Sequence, residues 1–488
     1  MYEFAEWALD AASGEGASYA DVRVIEERHR GLTTKNGKVG HVSDSESLGV
    51  GIRVLINGAW GFASTDLMTR AGIQAAARHA AAIARASAMV KKEDVVLAPE
   101  AAHQMVWTSP CAVDPFTISV DQNIALLLSI DRELRSVAGV TLAEAQMDFH
   151  RYRQIFLSTS GARIDQTRTT SGAGFAAFAF KNGDIQKRSY PNSFGGQYQL
   201  KGYELIDELK LVENARRVAE EAVALHQAPQ CPQFVGTVIL DSSQLGLQIH
   251  ESIGHPIELD RVLGMEANFA GTSFLTLDKL HTLRYGSELV NVVADATLEH
   301  GPGLGTFAFD DEGVPAQRTD IIRAGQFVDY ISSRETAALI GHNRSNGCMR
   351  AESWNRLPLI RMTNISILPG ATPLSLDELI ADTADGIYME TNRSWSIDDK
   401  RYNFQFGCEI GWEIKNGKRT RMLKNPSYSG ITTEFWNSMD AICSREHWTL
   451  WGTPNCGKGQ PQQTMGTGHG AAPARFRNIK IGTAYQND

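Results

Sequence analysis

His250 and Glu251, followed by His255, form the segment His-Glu-Ser-Ile-Gly-His. Imidazole nitrogens bind divalent metals, and a carboxylate beside one of them can take a proton from a metal-bound water, as in the two-histidine zinc helix of metallopeptidases. In that helix the histidines stand four residues apart, whereas here the second follows at the fifth position. At about 100° per residue, such positions lie about 140° apart around a regular α-helix, so both rings cannot reach one ion from undistorted helix. Gly254 and Pro256 flank His255 and supply a means of deviation. Glycine accepts non-helical backbone, and a residue before proline is disfavoured in the α region. A terminating or π-bulged last turn would bring His255 round. On spacing alone a second reading stands beside the first: two unrelated helix-end histidines and a solvated Glu251.

The elements that must hold this segment are legible around it. An apolar run, Val235 to Leu240, ends at Asp241, and Ser242 and Ser243 then cap a helix with Leu245, Leu247, Ile249 and Ile253 inside. Ala228-Pro-Gln-Cys-Pro232 breaks the preceding helix and marks a boundary. Beyond it β signals dominate: Tyr402 to Ile410, the Ala324-Gly325 turn, and Glu413 to Lys418. Before it the chain reads as a helix over Phe4 to Ala12, then short strands with Asn36-Gly37 and Asn57-Gly58 as two-residue hairpin turns. An Ala-rich helix spans Leu67 to Met89, entered through Ser64, Thr65 and Asp66 as capping residues. Lys91 to Pro115 reads as a linker. A helical face over Val120 to Val137, strands with Ser160-Gly161 and Asn182-Gly183 turns, and a helix from Leu211 to His226 then repeat the hairpin-and-helix order, as a duplicated unit would. The expected class is α+β: an N-terminal α+β domain over 1–110, a central α+β region over 111–228, and a β-rich domain over 232–488 carrying the metal-binding helix.

Composition narrows the classes of function. The 488 residues are 42% hydrophobic and 21% charged, the balance of an ordinary globular protein. Lys and Arg total 47 against 56 Asp and Glu, a net charge of −9, which opposes a surface built to hold nucleic-acid phosphates. No run approaches the ~18 apolar residues of a membrane span. The first residues, Met1-Tyr-Glu-Phe-Ala-Glu, carry acids where a secretory signal places bases, so a cytoplasmic location is expected. The six cysteines are far apart and form no disulfide framework.

The segment His250-Glu-Ser-Ile-Gly-His-Pro-Ile-Glu-Leu-Asp260 resembles the signature of the TldD/PmbA family. Tyr19 to Arg23, Gly49 to Val54, Asp310 to Thr319, Arg361 to Asn364 and Asn455 to Lys458 match that family's landmarks in order, so the resemblance spans nearly the whole chain. It implies a zinc metallopeptidase acting on unfolded or extended peptides. Carried over, His250, His255 and Cys456 would be the zinc ligands and Glu251 the general base that activates the zinc-bound water. Glu258 and Asp260 would support a histidine from behind. TldD-type chains carry this set and their TldE/PmbA-type partners lack it; the resemblance further implies a homodimer or a heterodimer with such a paralogue. The alternative it leaves is a non-catalytic binding or regulatory partner, prompted by the family's association with DNA gyrase modulation. Cys348, in the turn-like Asn346 to Arg350, is the rival ligand, and Cys408 reads as core. His469, in Gly466-Thr-Gly-His-Gly470, reads as a surface-loop histidine, with a hydrogen-bond donor to the reaction as its other reading. Arg350, Arg361 and Lys458 read as exposed salt-bridging residues, with a substrate carboxylate as their other partner.

Overall fold

The computed structural model describes residues 1–482. Its N-terminal half is an eight-stranded sheet in the spatial order Ala59–Thr65, Lys38–Ile56, Tyr19–Lys35, Val140–Ser158, Arg163–Lys181, Gln104–Thr108, with Asp184–Tyr190 and Gln197–Gln199 also paired to Arg163–Lys181. The Asn-Gly pairs at 36–37, 57–58 and 182–183 have positive φ at both positions, the backbone that two-residue hairpins require. One order of elements occurs twice, a helix, two long strands, a seven-residue strand and a second helix, first from Tyr2–Gly14 to Arg70–Ala88 and again from Val120–Arg135 to Leu211–Ala224, where the strand Gln197–Gln199 and the short helix Glu204–Glu208 are inserted before the last helix. Antiparallel pairing of Tyr19–Lys35 with Val140–Ser158 joins the two halves.

Each half buries its helices mainly on its own strands, with Ile155 and Leu157 entering the first core and Leu32 the second. Ile73, Ala77, Ala80 and Ala84 meet Val22, Val24, Ile52 and Val54, and Leu127, Ile130 and Val218 meet Phe149 and Phe175. A fully buried Ile, Leu or Phe contributes about 1.5–3 kcal/mol. Alanine dominates the helix Arg70–Ala88 because the backbones touch: a Cβ on Gly61 would stand 2.0 Å from the Ala80 carbonyl oxygen. That helix starts at Arg70 with Thr69 as its cap, since Thr65 ends a strand. Lys91 to Pro115 is also more than a linker, because Gln104–Thr108 adds a parallel edge strand to Arg163–Lys181.

The C-terminal half is built on a closed ring of five strands: Phe234–Leu240 lies between Asp385–Ile397 and Ala474–Ile481, and Ser427–Ile431 and Asn403–Lys415 complete the circuit back to Asp385–Ile397. A second, mixed sheet contains Val292–Asp295, Asn364–Ile367, Gln463–Ala471 and Thr449–Lys458. The class is therefore α+β, with no doubly wound parallel sheet among the described residues. The helix Ser242–Ile249 packs between the strands Asp385–Ile397 and Gln463–Ala471, and all of its residues are buried. Its two polar interior residues are satisfied: Gln244 Nε2 donates to Tyr428 Oη, which donates to Gln248 Oε1, each at 2.9 Å.

A buried ion network fastens the halves together. Arg53 contacts Asp21 at 2.6 Å and Glu312 at 3.1 Å, Arg23 contacts Asp311 at 3.4 Å, and the Arg334 backbone N–H donates to Glu312 at 2.7 Å. Asp310 holds the connecting turn by accepting from the Glu312, Val314 and Met349 backbone N–H groups at 2.9, 2.9 and 3.0 Å. No helix among the described residues is long and apolar enough to cross a membrane.

Candidate metal centre

The strand Phe234–Leu240 ends at Asp241, whose carboxylate accepts from the Ser243 N–H at 2.9 Å and starts the helix. After Ile249 the helix widens into a π turn over His250–Gly254, and the His255 N–H donates to the His250 carbonyl at 3.1 Å. This is the deviation that the five-residue spacing requires, because a widened turn returns the later side chain toward the earlier one. It is achieved without leaving helical backbone. His255 keeps φ −65° and ψ −42° although proline follows it. Gly254 serves close approach, since a Cβ there would lie 2.1 Å from Met362 Sδ.

Cys456 reaches the same place from the hairpin of Thr449–Lys458 and Gln463–Ala471, where it sits opposite Met465. Its Sγ is 3.9 Å from His255 Nε2, and one donor atom from each of His250, His255 and Cys456 lies within 4.8 Å of the others, all buried. Tetrahedral zinc with Zn–N of about 2.0–2.1 Å and Zn–S of about 2.3 Å sets its nitrogen and sulfur ligands about 3.5 Å apart. The three donors fit that ion. Cys348 lies outside the cluster, its Sγ turned to the Asn346 carbonyl.

Charge around the donors suits a thiolate and lone-pair nitrogens. Burial alone would raise the Cys456 thiol, but the charge around it, the Arg361 guanidinium foremost, holds it below the ordinary value. Each of the other five cysteines is raised, by burial foremost. Arg361 Nη2 also donates to the Cys456 carbonyl at 2.6 Å, while its Nε and Nη1 find no acceptor among the described residues. His255 Nδ1 lies 3.0 Å from Glu258 Oε2. A carboxylate only accepts, so Nδ1 carries the proton and Nε2 presents its lone pair toward Cys456. Behind Glu258, Lys458 Nζ sits 3.1 Å away and 2.7 Å from Asp260. Burial would raise the Glu258 carboxyl; Lys458 and His255 overcome it and hold the group well below the usual carboxylate range.

Glu251 points into the same region and forms a buried ion pair with Arg401. Burial would raise its carboxyl, but Arg401 first, then His250 and His255, keep it lowered and hence ionised. Arg401 stands at the bend between Asp385–Ile397 and Asn403–Lys415 with φ +65°. Nothing in the sequence around it singles it out.

Four residues lie elsewhere than their sequence context suggested. His469 is fully buried within the strand Gln463–Ala471, with Nε2 2.7 Å from His250 Nδ1. Gly466, Gly468 and Gly470 read as a loop, yet they alternate along one strand face where no side chain fits. A Cβ on Gly468 would meet Asn364 Oδ1 at 2.1 Å, and one on Gly470 the Trp448 ring at 1.8 Å. Arg350, Arg361 and Lys458 are likewise buried rather than exposed. Arg350 is spent on backbone carbonyls, those of Met362 and, at 3.0 Å, Gly466. A cleft of about 700 Å³ is walled by His29, His150 and Tyr152 of the N-terminal sheet, Trp354, and Pro454 and Met465 of the Cys456 hairpin; it meets the centre only through that hairpin, for its walls include none of His250, Glu251, His255 and Cys456.

Three domain models of one family match the chain in succession: PmbA/TldA metallopeptidase domain 1 over 20–84, its central domain over 113–225 and its C-terminal domain over 234–483. A metalloprotease of Methanocaldococcus jannaschii is 29% identical over 93% of this chain and 96% of its own length. A zinc metalloprotease TldD homolog of Saccharolobus solfataricus is 24% identical over 96% and 97%. Among solved structures, TldE from Thermococcus kodakarensis superposes with a TM-score of 0.71 at 14% identity, covering 98% of this chain and 99% of that one, a likeness of fold.

Proposed function

The chain belongs to the PmbA/TldD metallopeptidase family, and from that premise we propose that it is a zinc-dependent peptidase hydrolysing unfolded or extended peptides. The observation that carries this reading is the convergence of His250, His255 and Cys456 within 4.8 Å, beside an ionised Glu251. His250, His255 and Cys456 would hold the ion. Zinc held there would supply a Lewis acid able to lower the pKa of water to about 7. Glu251 takes the proton released as the water attacks a peptide carbonyl, and then returns it to the departing amine. Arg401 holds the Glu251 carboxylate in one orientation and keeps it ionised between turnovers. The negative Cys456 thiolate tempers the electrophilicity of the site relative to three imidazoles.

The cleft between the N-terminal sheet and the Cys456 hairpin is the path we assign to substrate. An extended segment entering it would add to strand edges through its own backbone, whereas folded chains would not fit. The units 1–110 and 111–228 then form the wall opposite the catalytic domain 232–488. We further propose a cytoplasmic dimer, with itself or with a TldE/PmbA-like paralogue, enclosing the site and binding neither nucleic acid nor membrane. The test is zinc content together with a mass-spectrometric map of products from an unfolded test protein. One zinc per chain with discrete cleavage products is expected; a zinc-loaded protein that leaves the substrate intact would favour the non-catalytic, regulatory reading.

A further inference from the structure

His255 and His250 are not held in the same way. Behind His255 stands the Glu258 carboxylate, itself backed by Lys458. Behind His250 stands another imidazole, that of His469, at 2.7 Å. His469 Nδ1 lies 3.1 Å from the Ile365 carbonyl oxygen, which can only accept, so that nitrogen bears a proton. The ring is fully buried, and its hydrogen-bonding neighbours among the described residues are Ile365, Thr467 and His250, with no carboxylate among them. A second proton would place an uncompensated charge there, so His469 Nε2 keeps its lone pair and accepts. Thr467 Oγ1, 3.0 Å from the same nitrogen, is a further donor to it. His250 Nδ1 must therefore donate to His469, and the free lone pair of His250 is left on Nε2.

We infer that His469 is a positioning residue: it fixes the tautomer and ring angle of His250 so that Nε2 is the nitrogen offered to the ion, an inference that rests on the zinc reading above. The wire runs from His250 Nδ1–H to His469 Nε2, and from His469 Nδ1–H to the Ile365 carbonyl. Sheet pairing sets its length, because the strands Asn364–Ile367 and Gln463–Ala471 run parallel with Asn364 opposite Gly468. A neutral acceptor also pushes less electron density onto its ligand than a carboxylate does. The two imidazole ligands therefore differ in basicity, which leaves the ion more electrophilic than two carboxylate-backed histidines would.

Two variants separate this role from simple core filling. His469→Phe keeps a ring but removes the acceptor, whereas His469→Gln offers an amide oxygen to His250 and an amide N–H to the Ile365 carbonyl. In chelator competition, the zinc dissociation constant is expected to rise about 10–100-fold in His469→Phe and to stay within about threefold of wild type in His469→Gln. A correctly folded His469→Phe that binds zinc like wild type, or a His469→Gln as impaired as His469→Phe, overturns the inference. Nitrogen-15 spectra of histidine-labelled, metal-free wild-type protein give a readout that needs no folded Phe variant. Protonated Nδ1 and bare Nε2 on His250 are expected, and a proton on His250 Nε2 overturns the assignment. Wild-type protein that binds no zinc at all would sink the peptidase reading instead, and those spectra would then decide the tautomer assignment by themselves.

Discussion

Two of the buried charge networks among the described residues are built to opposite ends. The one between the N-terminal sheet and the C-terminal half closes on itself: Arg53 meets Asp21 and Glu312, and Arg23 meets Asp311. The one at the metal centre is closed only on its outer side, where Lys458 lies among Glu258, Asp260 and Glu266. On its inner side it leaves capacity unspent. Cys456 is turned toward His255 Nε2, and Arg361 keeps two buried nitrogens without acceptors among the described residues. A closed network serves assembly, since every charge withdrawn from water regains a partner. An open one is expensive to keep in a folded chain unless something else completes it, which is the physical content of a binding site.

The contrast can be broken from either side. Glu251→Gln should lower peptide hydrolysis about 10²–10⁴-fold while zinc content stays at wild type, because Glu251 is no ligand; stopped assays on the zinc-loaded variant read this directly. Arg53→Met should do the reverse. It strands two buried carboxylates and should cost about 3–5 kcal/mol in urea unfolding, with the zinc dissociation constant unmoved. If Arg53→Met released zinc, the two networks would be one. Smaller again, Gly254→Ala should cost about 1–3 kcal/mol by pressing a methyl group onto the buried Met362, and should weaken zinc binding by tilting the π turn. Equal zinc affinity in that variant would show that the turn tolerates the displacement.

How much of this could be read from the chain varies with the kind of signal. Asn36-Gly37, Asn57-Gly58 and Asn182-Gly183 were legible as turns because a two-residue hairpin needs positive φ and few residues accept it. The α+β class followed from such turns together with helical periodicity. The off-register histidines announced a terminating or π-bulged last turn, and the structure has the π turn, with helical dihedrals at His255 although Pro256 follows. Cys456 carried no local signature and came into view only through the resemblance to a family. His469 was misplaced because alternating glycines resemble a loop until the neighbours that exclude their side chains are known. Arg361 and Arg401 were beyond reach of pattern, for their roles depend on contacts with Cys456 and Glu251 across 95 and 150 residues of chain.

The central claim is that one thiolate, remote in sequence, shares an ion with two histidines from a single helical turn. Zinc stoichiometry by elemental analysis of purified Cys456→Ala, set beside Cys348→Ala, tests it most directly. The thiolate brings a full negative charge and ties the hairpin to the helix, so its removal leaves a weak two-imidazole chelate. Cys456→Ala should lose most of its zinc after dialysis against a mild chelator, and Cys348→Ala should keep it. A Cys456→Ala protein that still holds one tightly bound zinc per chain would contradict the proposed site.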